Sequence, residues 1–265
     1  MNLTEPFEQV RSRIGQACQR FGLTAERAQL LAVSKTFGPQ AVLQAIAQGQ
    51  FHFGENYVQE AVEKRAAVEA LLKEKGDANK TPMPTVPTVH WHFIGPLQSN
   101  KTRDIAETMD WIHSIDRLKI AQRLIDQRPT RLAPLQACLQ VNISKEASKS
   151  GVAPGEEAVA LALAIAKLDP KGERLVLRGL MAIPEASQDE AQQRHWFAEL
   201  RKLKKTVNQA LAAEGQRELD VLSMGMSADL EAAVAESDPD HGFTWLRVGS
   251  ALFGSRPLKQ PHEKT

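Results

Sequence analysis

"LLAVSKTFGPQ" occupies residues 30–40, and its reading sets the fold. The unbroken apolar run Leu30–Val33 passes through Ser34 into Lys35, and a Thr-Phe-Gly-Pro turn then opens a helix-patterned stretch. Strands buried on both faces read as continuous apolar runs, whereas half-exposed strands alternate. The stretch is therefore one buried strand, one abrupt exit and one helix start. A lysine at the end of such a strand needs a reason.

The same unit recurs along the chain. Further apolar runs are "FHFGEN" (51–56), "HWHFIGP" (90–96), "WIHSID" (111–116), "LQACLQVN" (135–142), "LVLRGLMAIP" (175–184), "VLSMGMS" (221–227) and "TWLRVGS" (244–250). With 30–35 they make eight candidate strands, separated by helix-patterned stretches. "PGEEAVALALAIAKL" places its acids at the start, where they suit the helix dipole. "SQDEAQQRHWFAELRKLKKTVNQALAAEG" opens on Ser187 and Glu190 in capping-box spacing and closes on Gly215. Eight strand–helix units mean parallel pairing with right-handed crossovers. The expected fold is an α/β (β/α)8 TIM barrel, preceded by one extra amphipathic helix in "MNLTEPFEQVRSRIGQACQRFG". The length of 265 residues is close to the roughly 250 typical of that barrel, so residues 1–265 are read as a single domain. Pro82, Pro84 and Pro87 make 76–89 an exposed loop, and 256–265 a frayed tail.

Composition narrows the function. With 42% apolar and 25% charged residues and a net charge of +1, nothing points to nucleic acid or to an anionic membrane. The N-terminal stretch lacks the apolar core of a signal peptide, and no span is long enough for a membrane, so the expected location is the cytoplasm. The two cysteines, Cys18 and Cys138, form no C-x-x-C pair and are read as buried thiols.

In such a barrel, chemistry sits at the C-terminal ends of the strands, with a phosphate site often after strands 7 and 8. Lys35, Glu55 with Asn56, Gly95 with Pro96, Asn142, "MGMS" (224–227) and "RVGS" (247–250) end strands 1, 2, 3, 5, 7 and 8. Gly225 and Gly249 allow close backbone approach, and Ser227 and Ser250 add hydroxyls beside helix-start N–H groups: an anion cradle. Taken alone, Ser227 is as well explained as the N-cap of "ADLEAAVAE". Lys35 shares a face with Val33, and desolvation at a barrel mouth favours the neutral amine that attacks carbonyls. Taken alone, it also fits a lysine reaching back to solvent. Amine and cradle together imply a phosphorylated aldehyde, either pyridoxal 5′-phosphate (PLP) or a sugar-phosphate aldolase substrate. Arg247, on the face of Trp245 and Gly249, either reaches a ring held between them or pairs with Glu55 inside the barrel. His90 and His92 share one face of strand 3 and read as a polar barrel layer, since no further metal ligands converge. Tyr57, the one tyrosine, is read as packing at a helix start.

"AVSKT", "HFGENYVQE", "WHFIGPLQSNK", "SKSGV", "RGLMAIP", "LSMGMSADLEAAV" and "RVGSALFG" follow in order from about Leu30 to Gly254. Together they resemble the PLP homeostasis protein family, also described as proline synthetase co-transcribed homologues, whose fold is similar to the N-terminal barrel of alanine racemase. The resemblance implies that Lys35 forms the Schiff base with PLP and that Asn56 lies beside the ring. It also implies that Ser227, Gly249 and Ser250 meet the phosphate and that Arg247 faces the pyridine nitrogen. The cofactor-binding set is then Lys35, Asn56, Met224, Gly225, Ser227, Arg247, Gly249 and Ser250, with no catalytic and no metal-binding residue assigned. A racemase needs a second base, supplied in alanine racemase by a tyrosine from a further domain, and none is expected here. An arginine at the ring nitrogen also makes a weak electron sink. The expectation is a non-catalytic or nearly non-catalytic monomer acting in PLP (vitamin B6) homeostasis, with apo PLP-dependent enzymes as partners. The alternative is a weak PLP-dependent racemase-like enzyme.

Overall fold

A computed structural model of the protein describes residues 2–78, 88–146 and 149–254. Helix α1 (Thr4–Arg20) precedes eight strand–helix units. The first four are β1 (Ala28–Val33) with α2 (Pro39–Ala47), β2 (His52–Glu55) with α3 (Val58–Ala78), β3 (His90–Phe93) with α4 (Thr102–Thr108), and β4 (Trp111–Ile115) with α5 (Leu118–Gln127). The others are β5 (Leu135–Gln140) with α6 (Glu156–Leu168), β6 (Leu175–Met181) with α7 (Glu190–Ala213), β7 (Val221–Ser223) with α8 (Leu230–Ala235), and β8 (Phe243–Val248) with α9 (Ser250–Phe253). All pairings are parallel, and β8 pairs with β1 (Leu31 opposite Arg247), closing the barrel. The extra helix α1 packs against α8 and α9.

Every expected strand forms, but most end earlier than the apolar runs do. β1 stops at Val33, β3 at Phe93 and β7 at Ser223, and one backbone bond carries on past each end, from Ser34 N to Gly54 O, Ile94 N to Glu55 O and Met224 N to Trp245 O, before the chain leaves the sheet. Lys35, Gly95 and Ser227 therefore stand in loops above the barrel. The cap of α7 also differs from the expectation. Asp189 is the N-cap, accepting from the Ala191 amide at 2.9 Å, while Ser187 Oγ accepts from Asp189 N and braces it. Gly215 does follow the helix with φ +65°. Residues 76–78, expected in a loop, belong to the last turn of α3. Residues 79–87 of that expected loop, and the 256–265 tail, lie outside the described residues.

Alternation sorts the side chains into two layers. Outward residues such as Ala32, Phe53, Phe93, Ile112, Leu139 and Leu180 join the helices in the main core. Inward residues Leu31, Val33, Ile94, Trp111, Cys138, Met181, Val221 and Trp245 form a smaller inner cluster. The inner space is not purely apolar. His92 and His113 are fully buried there, and His52 stacks on His90 with ring centroids 4.7 Å apart. This is the polar layer expected from His90 and His92, extended to two neighbouring strands. Among the described residues no group of three or more His, Cys, Asp or Glu is placed to hold a metal ion. Both cysteines are buried and free.

Candidate functional site

A cavity of about 330 Å³ opens at the C-terminal mouth, within the range of small-molecule sites of roughly 300–1,000 Å³. Lys35, Asn56, Ser227, Arg247, Gly249 and Ser250 all line it, with an apolar wall of Val33, Phe37, Ile94, Ile183 and Met226. Six of the eight residues singled out in the sequence thus converge from four different strand ends.

Met224 and Gly225 do not line it. Met224 is fully buried in the core outside the barrel, and its amide donates to Trp245 O at 3.2 Å. Alternation explains this: Ser223 points inward, so the next side chain points out. Gly225 has φ +80°, and a Cβ there would overlap Ala233. It shapes the corner from behind and leaves Met226 at the cavity.

The loop carrying Lys35 is pinned on both sides. Lys64 Nζ, from α3, donates to Ser34 O at 2.7 Å, Glu55 Oε1 at 2.7 Å and Glu60 Oε1 at 2.9 Å. An ammonium has three donors, so all are used. Ser34 Oγ donates to Glu55 at 2.6 Å, and Thr36 N donates to Glu60 at 2.5 Å. Thr36 sits at φ +71°, a left-handed conformation that is an outlier for a β-branched residue and costs about 1–3 kcal/mol. The charged cluster holds that strain in place, and Lys35 between the two pinned residues is half-buried at the rim. Glu55 is fully buried on the outer face of β2, and burial pushes its carboxyl up against the pull of Lys64. It makes no pair with Arg247. Composition gives no reason to single out Glu60 and Lys64, yet their i,i+4 spacing just after "GEN" is the available signal.

Arg247 is buried inside the barrel. Its Nη1 donates to Ser223 Oγ at 2.8 Å and its Nη2 to Ala182 O at 2.9 Å. Burial lowers its pKa to about 10, leaving it cationic at neutral pH. Asn56 lines the cavity, and its buried Oδ1 has no hydrogen-bond partner among the described residues, an acceptor left unused. Gly95 is required beside it, because a Cβ at that position would overlap the Asn56 carbonyl. On the far side, Ser250 Oγ donates to Ser227 Oγ at 3.3 Å, joining the two serine corners. Ser227 does not cap α8; Asp229 occupies the cap position. Arg13 of α1 donates to Ser227 O at 3.2 Å and pairs with Glu231, so the extra helix steadies this corner. Gly249 packs against β1, where a Cβ would come 3.2–3.3 Å from Val33.

Tyr57 is 54% exposed, lies outside the cavity lining, and serves α3 through its backbone carbonyl, which accepts from Ala61 N at 2.9 Å. The packing role expected of its ring is not realised, since more than half of the residue is exposed. Asn142 holds the β5–α6 loop, donating to Glu146 O at 2.7 Å.

Comparison with known proteins agrees with this architecture. The sequence profile of the family described as alanine racemase, N-terminal domain, matches residues 9–257, which defines the class. More closely, the chain belongs to the pyridoxal phosphate homeostasis protein family. It is 49% identical to the protein of that name from Pseudomonas aeruginosa, over 98% of this chain and 98% of that one. Identity to the Escherichia coli protein of the same name is 45%, over 96% and 97%. Among solved structures, PipY of Synechococcus elongatus is 34% identical and covers 95% of this chain and 100% of its own. The TM-scores are 0.75 for the form without PLP and 0.72 for the form with PLP bound. D-threonine aldolase of Filomicrobium marinum, at 17% identity, shares the fold with a TM-score of 0.64 over 98% of this chain and 64% of that one.

Proposed function

We propose that this chain binds PLP at its C-terminal mouth and acts in PLP homeostasis, holding and releasing the molecule without turning over an amino acid. The observation that carries the reading is the convergence of Lys35, Asn56, Arg247 and the joined Ser227 and Gly249–Ser250 corners on one cavity. The residues present fit the molecule. The orphaned Asn56 acceptor, the hydroxyl pair and the guanidinium are three separate polar features around an apolar slot. PLP-bearing PipY and the homeostasis name carried by close relatives support the same ligand.

When bound, PLP supplies an electrophilic aldehyde carbon and an anionic phosphate. Lys35, held at the rim by Ser34 and Thr36, would present the amine nitrogen for reversible covalent capture of that carbon. The Ser227 and Ser250 hydroxyls and the backbone at Gly249 receive the phosphate. Phe37, Ile94, Ile183 and Met226 exclude water from the ring. Arg247, which keeps its proton at neutral pH, would present a donor and no acid to the ring nitrogen, an arrangement that suits a poor electron sink. Among the described cavity-lining residues Lys35 is the one side chain suited to act as a base, and catalysis on both faces of Cα needs two. The covalent link, reversible by water, suits a store that yields PLP to apo-enzymes.

The test is spectroscopic. Protein mixed with PLP shows a visible absorption band that borohydride bleaches, and peptide mapping then finds the reduced adduct on Lys35. A Lys35→Ala variant that still formed the band would remove that residue's role. Solvent deuterium entering Cα of L-amino acids at enzyme-like rates would overturn the non-catalytic reading.

A further inference from the structure

The inner face of the barrel contains a connected file of polar side chains that the binding reading does not use. His52 Nδ1 lies 3.0 Å from His92 Nε2, His92 Nδ1 lies 3.0 Å from His113 Nε2, and His113 Nδ1 lies 2.7 Å from Ser223 Oγ. Ser223 Oγ is in turn the acceptor of Arg247 Nη1. The file runs from His52, at the N-terminal end of β2 and lining a recess at the opposite mouth, through β3 and β4. It then crosses to β7 and β8 beneath the cavity.

The direction of every bond follows from its last member. A guanidinium only donates, so Ser223 Oγ accepts from Arg247. Ser223 is fully buried, and its own O–H has one acceptor among the described residues, His113 Nδ1. Turning that bond round would leave a buried hydroxyl proton unsatisfied, at a cost of about 1–3 kcal/mol. His113 must then carry its proton on Nε2 and donate to His92, and His92 must do the same toward His52. All three rings are neutral, and all three Nδ1 atoms, the negative ends of their dipoles, face Arg247. The surroundings favour neutrality. Burial pushes His113 down to about 3, His92 well below its ordinary range and His52 to about 4. The other groups against the file are His90 stacked on His52, Trp245 beside His52, Trp111 stacked on His92, Cys138, and Arg178, which is committed to Asp220 at 2.6 Å. Asp229 favours the Arg247 cation through space, but its carboxylate accepts from Met226 N at 2.5 Å. Among the described residues no carboxylate pairs with Arg247.

A buried guanidinium needs compensation from its surroundings. We propose that His52, His92, His113 and Ser223 are positioning residues for Arg247. They form a one-way hydrogen-bonded file whose aligned dipoles stand in for a carboxylate and fix where the guanidinium's remaining donors point. The consequence for the ring nitrogen rests on the PLP reading; the file itself does not.

The test therefore starts on full-length protein labelled with nitrogen-15 in its histidines and free of PLP. Long-range proton–nitrogen correlation spectra should show His52, His92 and His113 all as Nε2–H tautomers, unchanged from pH 8 to pH 5.5. An Nδ1–H tautomer at His92 or His113, or titration of either near 6.5, overturns the file whether or not the protein binds PLP. The second arm uses PLP-loaded Ser223→Ala and Ser223→Thr. Loss of the hydroxyl should shift the visible band and speed PLP release about ten-fold, as expected for one hydrogen bond to a charged group, while threonine keeps both near wild type. Alanine is the smaller change for packing, so a merely structural serine predicts the reverse order. That order, or an alanine variant indistinguishable from wild type, refutes the positioning role. If wild-type protein forms no band, the PLP reading fails and the tautomer result still decides the file.

Discussion

Replacing Lys64 by methionine removes the cation beneath the Lys35 loop while keeping an unbranched side chain of similar length. Three hydrogen bonds are lost, to Ser34 O, Glu55 and Glu60. Glu60 is partly exposed, so water replaces its partner; Glu55 is fully buried and has no such recourse. Removing one side of a buried pair costs about 3–5 kcal/mol, because an uncompensated charge remains. That cost must depend on pH. Burial already raises the Glu55 carboxyl, and loss of Lys64 raises it further. A carboxyl whose folded pKa exceeds its unfolded value of about 4.3 leaves stability intact below that value. Stability is then lost as pH rises toward the folded pKa, by up to roughly 1.4 kcal/mol for each pH unit crossed. The Lys64→Met penalty should thus be small near pH 5 and full at pH 8, read from urea unfolding of both proteins at the two pH values. Adding Glu55→Gln should recover most of the loss, since no buried charge is left. A penalty below about 1 kcal/mol at pH 8, or one equal at pH 5 and pH 8, would refute the account. PLP capture should slow in the single variant, because Ser34 O loses its anchor and Glu60, which holds Thr36 N, loses the cation that fixes it.

Three further outcomes follow from the same structure. The neutral histidines have folded pKa values below the unfolded value of about 6.5, so they contribute stability above that pH. It is lost as pH falls toward about 4 for His52 and about 3 for His113. Each contributes a slope of up to about 1.4 kcal/mol per pH unit; Glu55, the one raised carboxyl among the described residues, cannot cancel them, and a urea midpoint that stayed flat from pH 7.5 to pH 5.5 would contradict the burial of neutral rings. Gly95→Ala should displace the Asn56 backbone and weaken PLP binding at least ten-fold in equilibrium titration; wild-type affinity would show that the close approach is not needed. Cys138, its thiol pushed up to about 12 by burial, and buried Cys18 should both resist a disulfide reagent until denaturant is added, whereas rapid labelling of native protein would disprove their enclosure.

The strand count and the mouth are legible in the sequence because they depend on local pattern. Continuous apolar runs report burial on both faces, and their last residues report which end carries chemistry, so Lys35, Asn56, Arg247 and the two serine corners are visible in one dimension. Three things are not. The apolar runs overshoot the strand ends, because Ile94 and Met226 stay apolar past the last strand residue and wall the cavity. The partner of Glu55 is hidden, because a single strand does not say which of its faces looks inward; β2 turns Glu55 out to Lys64 and Gly54 in. Of the histidine file only His92, read together with its neighbour His90, shows in the sequence, since hydrogen bonds from β3 to β4 and across to β7 join residues far apart in sequence. His52 and His113, at inward positions of neighbouring strands, are the remaining signal.

The two polar networks share a logic that bears on what the site does. One lies outside the barrel, where Lys64, Glu55 and Glu60 fix the main chain on either side of Lys35. The other lies inside, where Ser223 and the histidines fix Arg247. Neither uses a residue that touches the bound molecule for anything but placement, and neither brings a proton donor or acceptor with an accessible pKa to the cavity. Placement set before the ligand arrives lowers the ordering cost of binding. Catalysis asks for more: groups that stabilise the transition state better than the ground state, and protons that move at neutral pH. A lysine and an arginine both held from behind, with neutral rings that resist protonation, support the proposed role of recognising and retaining a ligand. On the proposed reading, turnover would require a titratable group on the open side of the cavity, where Ile183 and Met226 stand. An Ile183→Tyr or Met226→His variant that gained Cα–hydrogen exchange would locate the missing function there; exchange already present in the wild type would mean that the networks serve catalysis after all.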